Sequence, residues 1–297
     1  TRITFPFLFF VSISSFFSGI LNSNNKFAAA AAAPIILNII LILSLSISYL
    51  WNLNFAKQLS YGVTFAGIIQ LLFLIIFKKK YYRLSLEFKI KLSSKVKIFF
   101  KKLLPSILSS GVTQINILVG TIIASFEASA VSYLYYADRI YQINLALAGI
   151  AVGTVSLPAL SKAFKQKNFF KIANIQNRSI ELSLLLSIPA SVGLILASEQ
   201  IVNALFGYGS FTKENIYMTG LALKYFGYGV PAFALIKILS NFFFARNNTK
   251  IPFYISSFIV LINISVSIAF FSKIGFIIIP IATSFSTWFG VWIRYIS

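Results

Sequence analysis

The sequence contains no cysteine and no histidine, and it has only six acidic residues among 297. The absence of cysteine excludes disulfides, and the absence of both residue types excludes Cys/His metal sites. Histidine-based acid–base catalysis is excluded for the same reason. The six acids form no obvious pair at helical spacing, as general acid–base chemistry would require. We therefore expect a protein that is not an enzyme and that holds no metal and no cofactor.

Charged residues are scarce overall. They make up 11% of the chain, hydrophobic residues make up 58%, and the mean hydropathy is +0.85. Soluble domains are about 25% charged and about 45–50% apolar. Many apolar runs exceed the roughly 18 residues that a helix needs to cross a bilayer. These runs are continuous rather than alternating, which excludes a β-barrel. The composition predicts an all-α integral membrane protein, a polytopic helix bundle.

Basic residues give the chain a net charge of +20. Almost all of them fall between apolar runs, where the positive-inside rule accounts for them, so we expect no nucleic-acid partner. Heavy use of isoleucine, phenylalanine, asparagine and lysine is typical of an AT-rich genome. Thr1 already lies in an apolar run, and the sequence has no initiator methionine or signal peptide. We interpret the chain as an internal piece of a longer protein.

Nine spans are predicted, at 3–21, 34–51, 59–77, 103–125, 131–157, 176–197, 216–238, 252–271 and 274–296. One set of span ends carries few basic residues, namely Arg2, Lys57, Lys213 and Lys273. The basic-rich ends should therefore be cytoplasmic. With nine spans, this places Thr1 outside and Ser297 inside.

A weak internal repeat indicates two bundles. A Phe-Ala dipeptide precedes a proline and a span twice, beginning at Phe27 and at Phe244, with six spans between the two copies. Parallel repeats of this kind are known in transporters. The repeat predicts three regions, which are the second half of a first bundle (1–77), a basic cytoplasmic linker (78–102) and a complete second bundle (103–297).

The segment Ser132–Lys162 combines charge with a spanning helix. Asp138 and Arg139 lie at its head, and an arginine within a span costs about 2.5–3.5 kcal/mol on insertion scales. The pair could belong to an ion-pair network between helices, or the guanidinium could hold a phosphate group. Gly149 and Gly153 form a G-x-x-x-G face that predicts close packing with another helix.

Other polar residues lie within spans and are expected to face the interior of the bundle. Buried polar groups in a bilayer need partners, which favours an interior position for Gln114 and Asn116 in span four. Gln142 and Lys224 are further candidates for lining a cavity, although snorkelling to the outer surface also explains the lysine.

Several motifs resemble the lipid II flippase family MurJ (MviN), within the multidrug/oligosaccharidyl-lipid/polysaccharide exporter superfamily. The most specific is Tyr135–Lys162, with YYADRIYQ followed by GIAVGTVSLPALSK. Other stretches agree in the same order, namely Ile3–Pro6, Gly19–Phe27, Ala33–Asn38, Leu205–Thr212 and Phe243–Pro252. Members of the family have fourteen spans, and this chain is similar to spans four through twelve.

The resemblance implies two six-helix lobes around a central cavity, with the first lobe incomplete here. It implies a flippase of the bacterial inner membrane that moves a lipid-linked disaccharide-pentapeptide on an undecaprenyl diphosphate carrier to the periplasmic leaflet. The bilayer would be its surroundings, and a monomer is expected. The alternatives are a flippase for another lipid-linked oligosaccharide, such as an O-antigen unit, or a non-transporting membrane scaffold.

The resemblance also suggests roles for individual residues. Arg139 matches a cavity arginine thought to hold the diphosphate of the cargo, Ser132 matches a cavity-exposed serine, and Asp138 accompanies the arginine. Some members of the family bind sodium through carboxylates on two spans. This chain has no carboxylate at those places, which weakens the case for sodium coupling; it has Asn116, Asn263 and Ser267 there.

Overall fold

The computed structural model describes residues 2–23, 27–79, 96, 111–112, 114–246 and 248–296. Within these ranges every regular element is helical, which confirms the predicted all-α fold. The chain clusters into two compact units, Thr1–Leu92 and Ser93–Ser297. The predicted linker 78–102 lies almost wholly outside the described residues, so the predicted domain boundaries stay a prediction.

The first unit consists of three helices, which are α1 (Phe5–Ser23), α2 (Phe27–Leu50) and α3 (Phe55–Lys79). Helix α3 packs against both of the others. Leu21 and Leu74 are at most 1% exposed and form the centre of its small apolar core. The Gln70 amide donates to the carbonyl of Ala33 at 2.9 Å, and this bond satisfies a polar side chain within a helix apolar enough to span a membrane.

The second unit contains the remaining helices. They are α4 (Gln114–Ala124), α5 (Ala130–Leu145), α6 (Val152–Lys165), α7 (Phe169–Leu196), α8 (Ser198–Phe206), α9 (Lys213–Ala245), α10 (Lys250–Ile274) and α11 (Ile278–Ile296). A π-helical segment, Ala146–Ala151, joins α5 to α6, so Ala130–Lys165 forms one continuous helix. A short 3₁₀ turn, Gly275–Ile277, separates α10 from α11.

Helix α9 is the central helix of this unit and packs against α5, α6, α7, α8 and α11. Glycines let its neighbours approach closely. A Cβ atom at Gly220 would lie 3.0 Å from the Cα of Glu199 on α8, and one at Gly227 would lie 3.2 Å from the Cβ of Leu194 on α7. These contacts explain why a largely apolar helix is also rich in small residues.

The described helices match the predicted spans closely. Eight of the nine predicted spans have a helix of similar bounds, and the ninth, 103–125, is described only at 111–112 and from 114 onward. In the part of the chain that the structure describes, six helical stretches are long and apolar enough to cross a membrane, with α10 and α11 counted as one stretch. The structure adds helix α8, which lies between two of the predicted spans.

Candidate functional site

The turn before α5 is fixed by Glu127. One carboxylate oxygen of Glu127 accepts the backbone N–H of Phe276 at 2.7 Å, so the turn is tied to the break between α10 and α11. Gly275 in that break has a φ of 72°, and a Cβ there would lie 2.9 Å from the same carboxylate. The sequence gave no signal of this distant partner.

Helix α5 has one buried face, which sets the register of its polar side chains. Ala130, Ala137, Ile140 and Tyr141 are buried against the core. The Tyr141 ring stacks on Phe226 of α9 with a centroid distance of 5.4 Å. At about 100° per residue, Ser132, Tyr135, Arg139 and Gln142 fall on the exposed side of the helix.

A cleft of about 270 Å³, which we call the α5 cleft, lies beside this helix. Residues from five helices line it, and its polar lining residues are Asn116, Thr121, Tyr135, Asp138, Gln142, Asn263 and Thr283. Asp138 is half-buried there, and its carboxylate accepts a hydrogen bond from the Gln142 side-chain amide one turn later. The cleft therefore presents one carboxylate among amide and hydroxyl groups.

The far wall of the α5 cleft has its own hydrogen bonds. The Asn263 amide donates to the Thr283 hydroxyl at 3.0 Å, which joins α10 to α11. The Ser267 hydroxyl donates to the Asn263 carbonyl oxygen at 3.3 Å. Among the described residues there is no group of three or more histidine, cysteine, aspartate or glutamate side chains that could hold a metal ion. The arrangement is suited to binding a polar group.

Arg139 is exposed and does not line the α5 cleft. Its Nη2 donates to the hydroxyl of Tyr135 at 3.0 Å, and its guanidinium carbon lies 4.7 Å from the centre of the Tyr135 ring. This geometry is a cation–π contact between residues four apart on one helix. Tyr135 also lines the cleft, so one aromatic ring contacts the guanidinium and borders the polar pocket.

Asp138 and Arg139 therefore have different polar partners, Gln142 for the aspartate and Tyr135 for the arginine. Ser132 is exposed and precedes Arg139 by seven residues, which places both on the same face of α5. We call this face, consisting of Ser132, Tyr135 and Arg139, the arginine face. Its role in holding cargo stays a prediction.

The other candidate residues are not all in one place. Asn116 and Gln142 line the α5 cleft together with Asp138. Gln114 is exposed on α4, and Lys224 is half-buried on α9; neither lines the cleft. The spacing of four residues between Asp138 and Gln142 could have predicted their hydrogen bond. The position of Asn116 beside residues of α10 and α11 depends on tertiary packing, which the sequence does not reveal.

Gly149 and Gly153 lie at a close contact with α9. A Cβ at Gly149 would lie 3.3 Å from the Cα of Ala234, and one at Gly153 would lie 3.1 Å from the side-chain nitrogen of Asn241. That nitrogen donates to the Gly153 carbonyl at 2.7 Å. The sequence gave no sign of Asn241, because a single asparagine in a span does not reveal its partner.

Comparisons with known proteins extend over the whole chain. A family model described as lipid II flippase MurJ matches residues 1–297. A relative from Rhizobium meliloti (strain 1021), named probable lipid II flippase MurJ, is 39% identical over 279 residues, which cover 92% of this chain and 52% of the relative. The chain spans about half the length of the curated relatives that it matches.

Solved structures show the same similarity. The structure of a lipid II flippase MurJ in an inward closed conformation matches with a TM-score of 0.85 and 29% identity, over 99% of this chain and 61% of that one. An inward-facing multidrug resistance MATE family transporter of the MOP superfamily matches with a TM-score of 0.82 at 14% identity, covering all of this chain and 69% of that one. The second match supports the fold alone.

Proposed function

Because the chain belongs to the lipid II flippase MurJ family, we propose that it forms part of a flippase that moves lipid II across the bacterial inner membrane. The cargo would be a lipid-linked disaccharide-pentapeptide on a diphosphate carrier, taken from the cytoplasmic to the periplasmic leaflet for cell-wall synthesis. The chain spans about half of its curated relatives, so the activity belongs to the full-length protein. The charge asymmetry favours a periplasmic residue 1 and a cytoplasmic residue 297.

The observation that carries this proposal is the arginine face of α5. Arg139 is exposed within a spanning helix, and within the described part of the chain its one hydrogen-bond partner is the neutral Tyr135 hydroxyl. A guanidinium has five N–H donors, so most of them are available to a ligand. Its planar fork suits the oxygens of a phosphate group better than an ammonium does.

Electrostatics explains why such a residue is needed. Moving a charged diphosphate through a region of low dielectric without a counter-charge would be prohibitive. Alternating access brings the cargo into a polar cavity, in which a fixed cation lowers that cost. Tyr135 restrains the guanidinium through a hydrogen bond and a cation–π contact, so less side-chain entropy is lost when a phosphate binds.

The test is rescue of growth in a bacterium depleted of its own lipid II flippase. We expect the protein, expressed from its own gene, to rescue growth, and we expect Arg139→Ala to fail at equal membrane levels. A charge-assisted hydrogen bond is worth about 1.5–3 kcal/mol, so the arrival of labelled lipid II at the outer leaflet should fall roughly 10- to 100-fold. Arg139→Lys should retain an intermediate rate, because it keeps the charge and loses the fork.

Arg246→Ala is the matched control. Arg246 is also exposed and also contacts aromatic rings, those of Phe164 and Phe242, but it lies at the end of α9. We expect this variant to rescue growth as the unmodified protein does. Failure of the folded, unmodified protein to rescue would indicate another lipid-linked oligosaccharide as cargo. Equal rescue by Arg139→Ala would make Arg139 a structural residue and remove the basis for its role in binding.

A further inference from the structure

The turn between α6 and α7 presents two aromatic side chains that the fold leaves uncovered. Phe169 is 77% exposed and Phe170 is 85% exposed, and the latter is the most exposed large hydrophobic side chain that the structure describes. Both lie in the first turn of α7. The next apolar residue of the helix, Ile172, is only 5% exposed. The phenylalanines are therefore directed away from the packed interior.

This turn has a defined geometry. Lys167 has a left-handed backbone conformation, with a φ of 52°. Asn168 is the N-cap of α7, where its side-chain oxygen accepts the Lys171 N–H at 2.9 Å. Capping of this kind fixes the direction in which the first helical turn projects. Beneath it, Leu160, Ala163, Ile172 and Ala245 form a small apolar cluster that supports the ends of α6, α7 and α9.

Basic side chains flank the two phenylalanines. The segment from Lys162 to Arg178 contains five basic residues and no acidic residue. All five are exposed, namely Lys162, Lys165, Lys167, Lys171 and Arg178. The two phenylalanines lie within a cluster of positive charge. A partner that fits this surface should therefore offer negative charge together with an apolar layer. The surface of a bilayer that contains anionic lipid has that chemistry.

The length of α7 places its first turn at the depth of the lipid headgroups. Helix α7 has 28 residues and is about 42 Å long at about 1.5 Å per residue. A bilayer core is about 30 Å thick, and the whole bilayer with its headgroups is about 40–45 Å. A spanning α7 therefore extends past the hydrocarbon, and its first turn reaches the layer where phosphate groups lie.

We propose that the α6–α7 turn, residues 165–171, is a docking surface for anionic phospholipid headgroups, with Phe169 and Phe170 inserted between the lipids. The lysines contact the phosphates, and the two rings occupy the boundary between headgroups and acyl chains. The inference rests on the position of the chain in a membrane and not on what it transports. Its test is therefore independent of the test of lipid II transport.

The chain has no cysteine, so an introduced thiol is the single labelling site on it. We would attach a nitroxide to Phe170→Cys and, as a second site, to Phe169→Cys, in bilayer discs containing phosphatidylglycerol. Collisions with oxygen report the bilayer, and collisions with a water-soluble nickel chelate report the aqueous phase. We expect the oxygen-to-nickel ratio at position 170 to be several-fold higher than at Thr249→Cys, an exposed control at the N-cap of α10, outside the proposed surface.

Two further samples complete the test. In discs of phosphatidylcholine, or when Lys165, Lys167 and Lys171 are all replaced by glutamine, we expect the ratio at position 170 to fall several-fold toward that of the control. Nickel accessibility equal to the control in both lipids would overturn the proposal. A label shielded from both reagents would also overturn the proposal, because such shielding would mean that a second copy of the chain or another protein covers the turn.

Discussion

The continuous helix Ala130–Lys165 contains two regions of opposite character, separated by its π-helical segment. In α5 the polar side chains of the arginine face are exposed. In α6 the residues Gly153, Ser156, Leu160 and Ala163 are buried against neighbouring helices. The first region therefore exposes groups suited to binding opposite its buried face, whereas the second, together with the π-helical segment, contacts neighbouring helices through small residues.

The contact between the π-helical segment and α9 is close, because the backbones of the two helices approach each other at a glycine. At Gly149 a Cβ atom would lie 3.3 Å from the Cα of Ala234 on α9, which is closer than ordinary van der Waals contact. Buried hydrogen bonds add to this contact. Asn241 donates to the Gly153 carbonyl, and the Ser183 hydroxyl on α7 donates to the carbonyl of Ala148 within the π-helical segment at 2.9 Å. We expect replacements there to affect stability, and replacements on the arginine face to affect function.

The largest expected effect on stability is that of Gly149→Leu. The new side chain must displace the backbone of α9, and overpacking of this kind costs about 3 kcal/mol. The measurement is the unfolding midpoint of the purified protein in detergent, titrated with a denaturing detergent. Gly193→Leu is the matched control, because no atom lies within 4 Å of a Cβ at that position. Equal midpoints for the two variants would contradict close packing at Gly149.

The next effect in size is that of Asn241→Ala. Its side chain donates to the Gly153 carbonyl at 2.7 Å and to the Ser156 hydroxyl at 3.2 Å, and both bonds are lost. Hydrogen bonds between helices in membranes are worth about 1–2 kcal/mol in model peptides, so we expect a loss of this size. Asn144→Ala is the control, since that amide donates within its own helix. A shift no larger than that of the control would show that the interhelical bonds add nothing.

A smaller effect is expected for Ser183→Ala. The variant removes the hydrogen bond to the π-helical segment, and single interhelical bonds measured in a membrane protein average about 0.6 kcal/mol. Ser179→Ala lies one turn away on α7 and serves as the control, because its hydroxyl donates to Ile175 of its own helix. The unfolding midpoint should fall for the first variant and stay unchanged for the second, and the reverse order would contradict the assignment.

The contrast between the two regions was only partly predictable from the sequence. Hydropathy and the position of basic residues predicted the helices, because a bilayer requires long apolar runs with satisfied backbone groups. The G-x-x-x-G pattern likewise indicated that Gly149 and Gly153 contact another helix. The partner helix was not predictable, since α9 lies some 80 residues further along the chain and several other spans also contain small residues.

The charged residues of α5 were predictable from the sequence, but the α5 cleft was not. Arg139 and Asp138 stood out because charges are rare in spans, and neighbouring residues on a helix point about 100° apart. The α5 cleft itself could not be predicted, because Asn263 and Thr283 come to it from helices more than 100 residues away along the chain. Glu127, which holds the turn at Gly275, resembles any exposed loop acid until its contact with Phe276 is seen.

The smallest effect on stability is expected for Arg139→Ala, although its effect on transport should be the largest. The variant loses an exposed cation–π contact, which is worth about 0.5–1 kcal/mol. It also removes a charge from a spanning helix, which lowers the cost of insertion and offsets that loss. The unfolding midpoint should therefore stay close to that of the unmodified protein. If the unfolding midpoint falls as far as that of Gly149→Leu, α5 depends on Arg139 for packing. The arginine face would then be a packing surface, like the small-residue face of α6, and not a surface for binding.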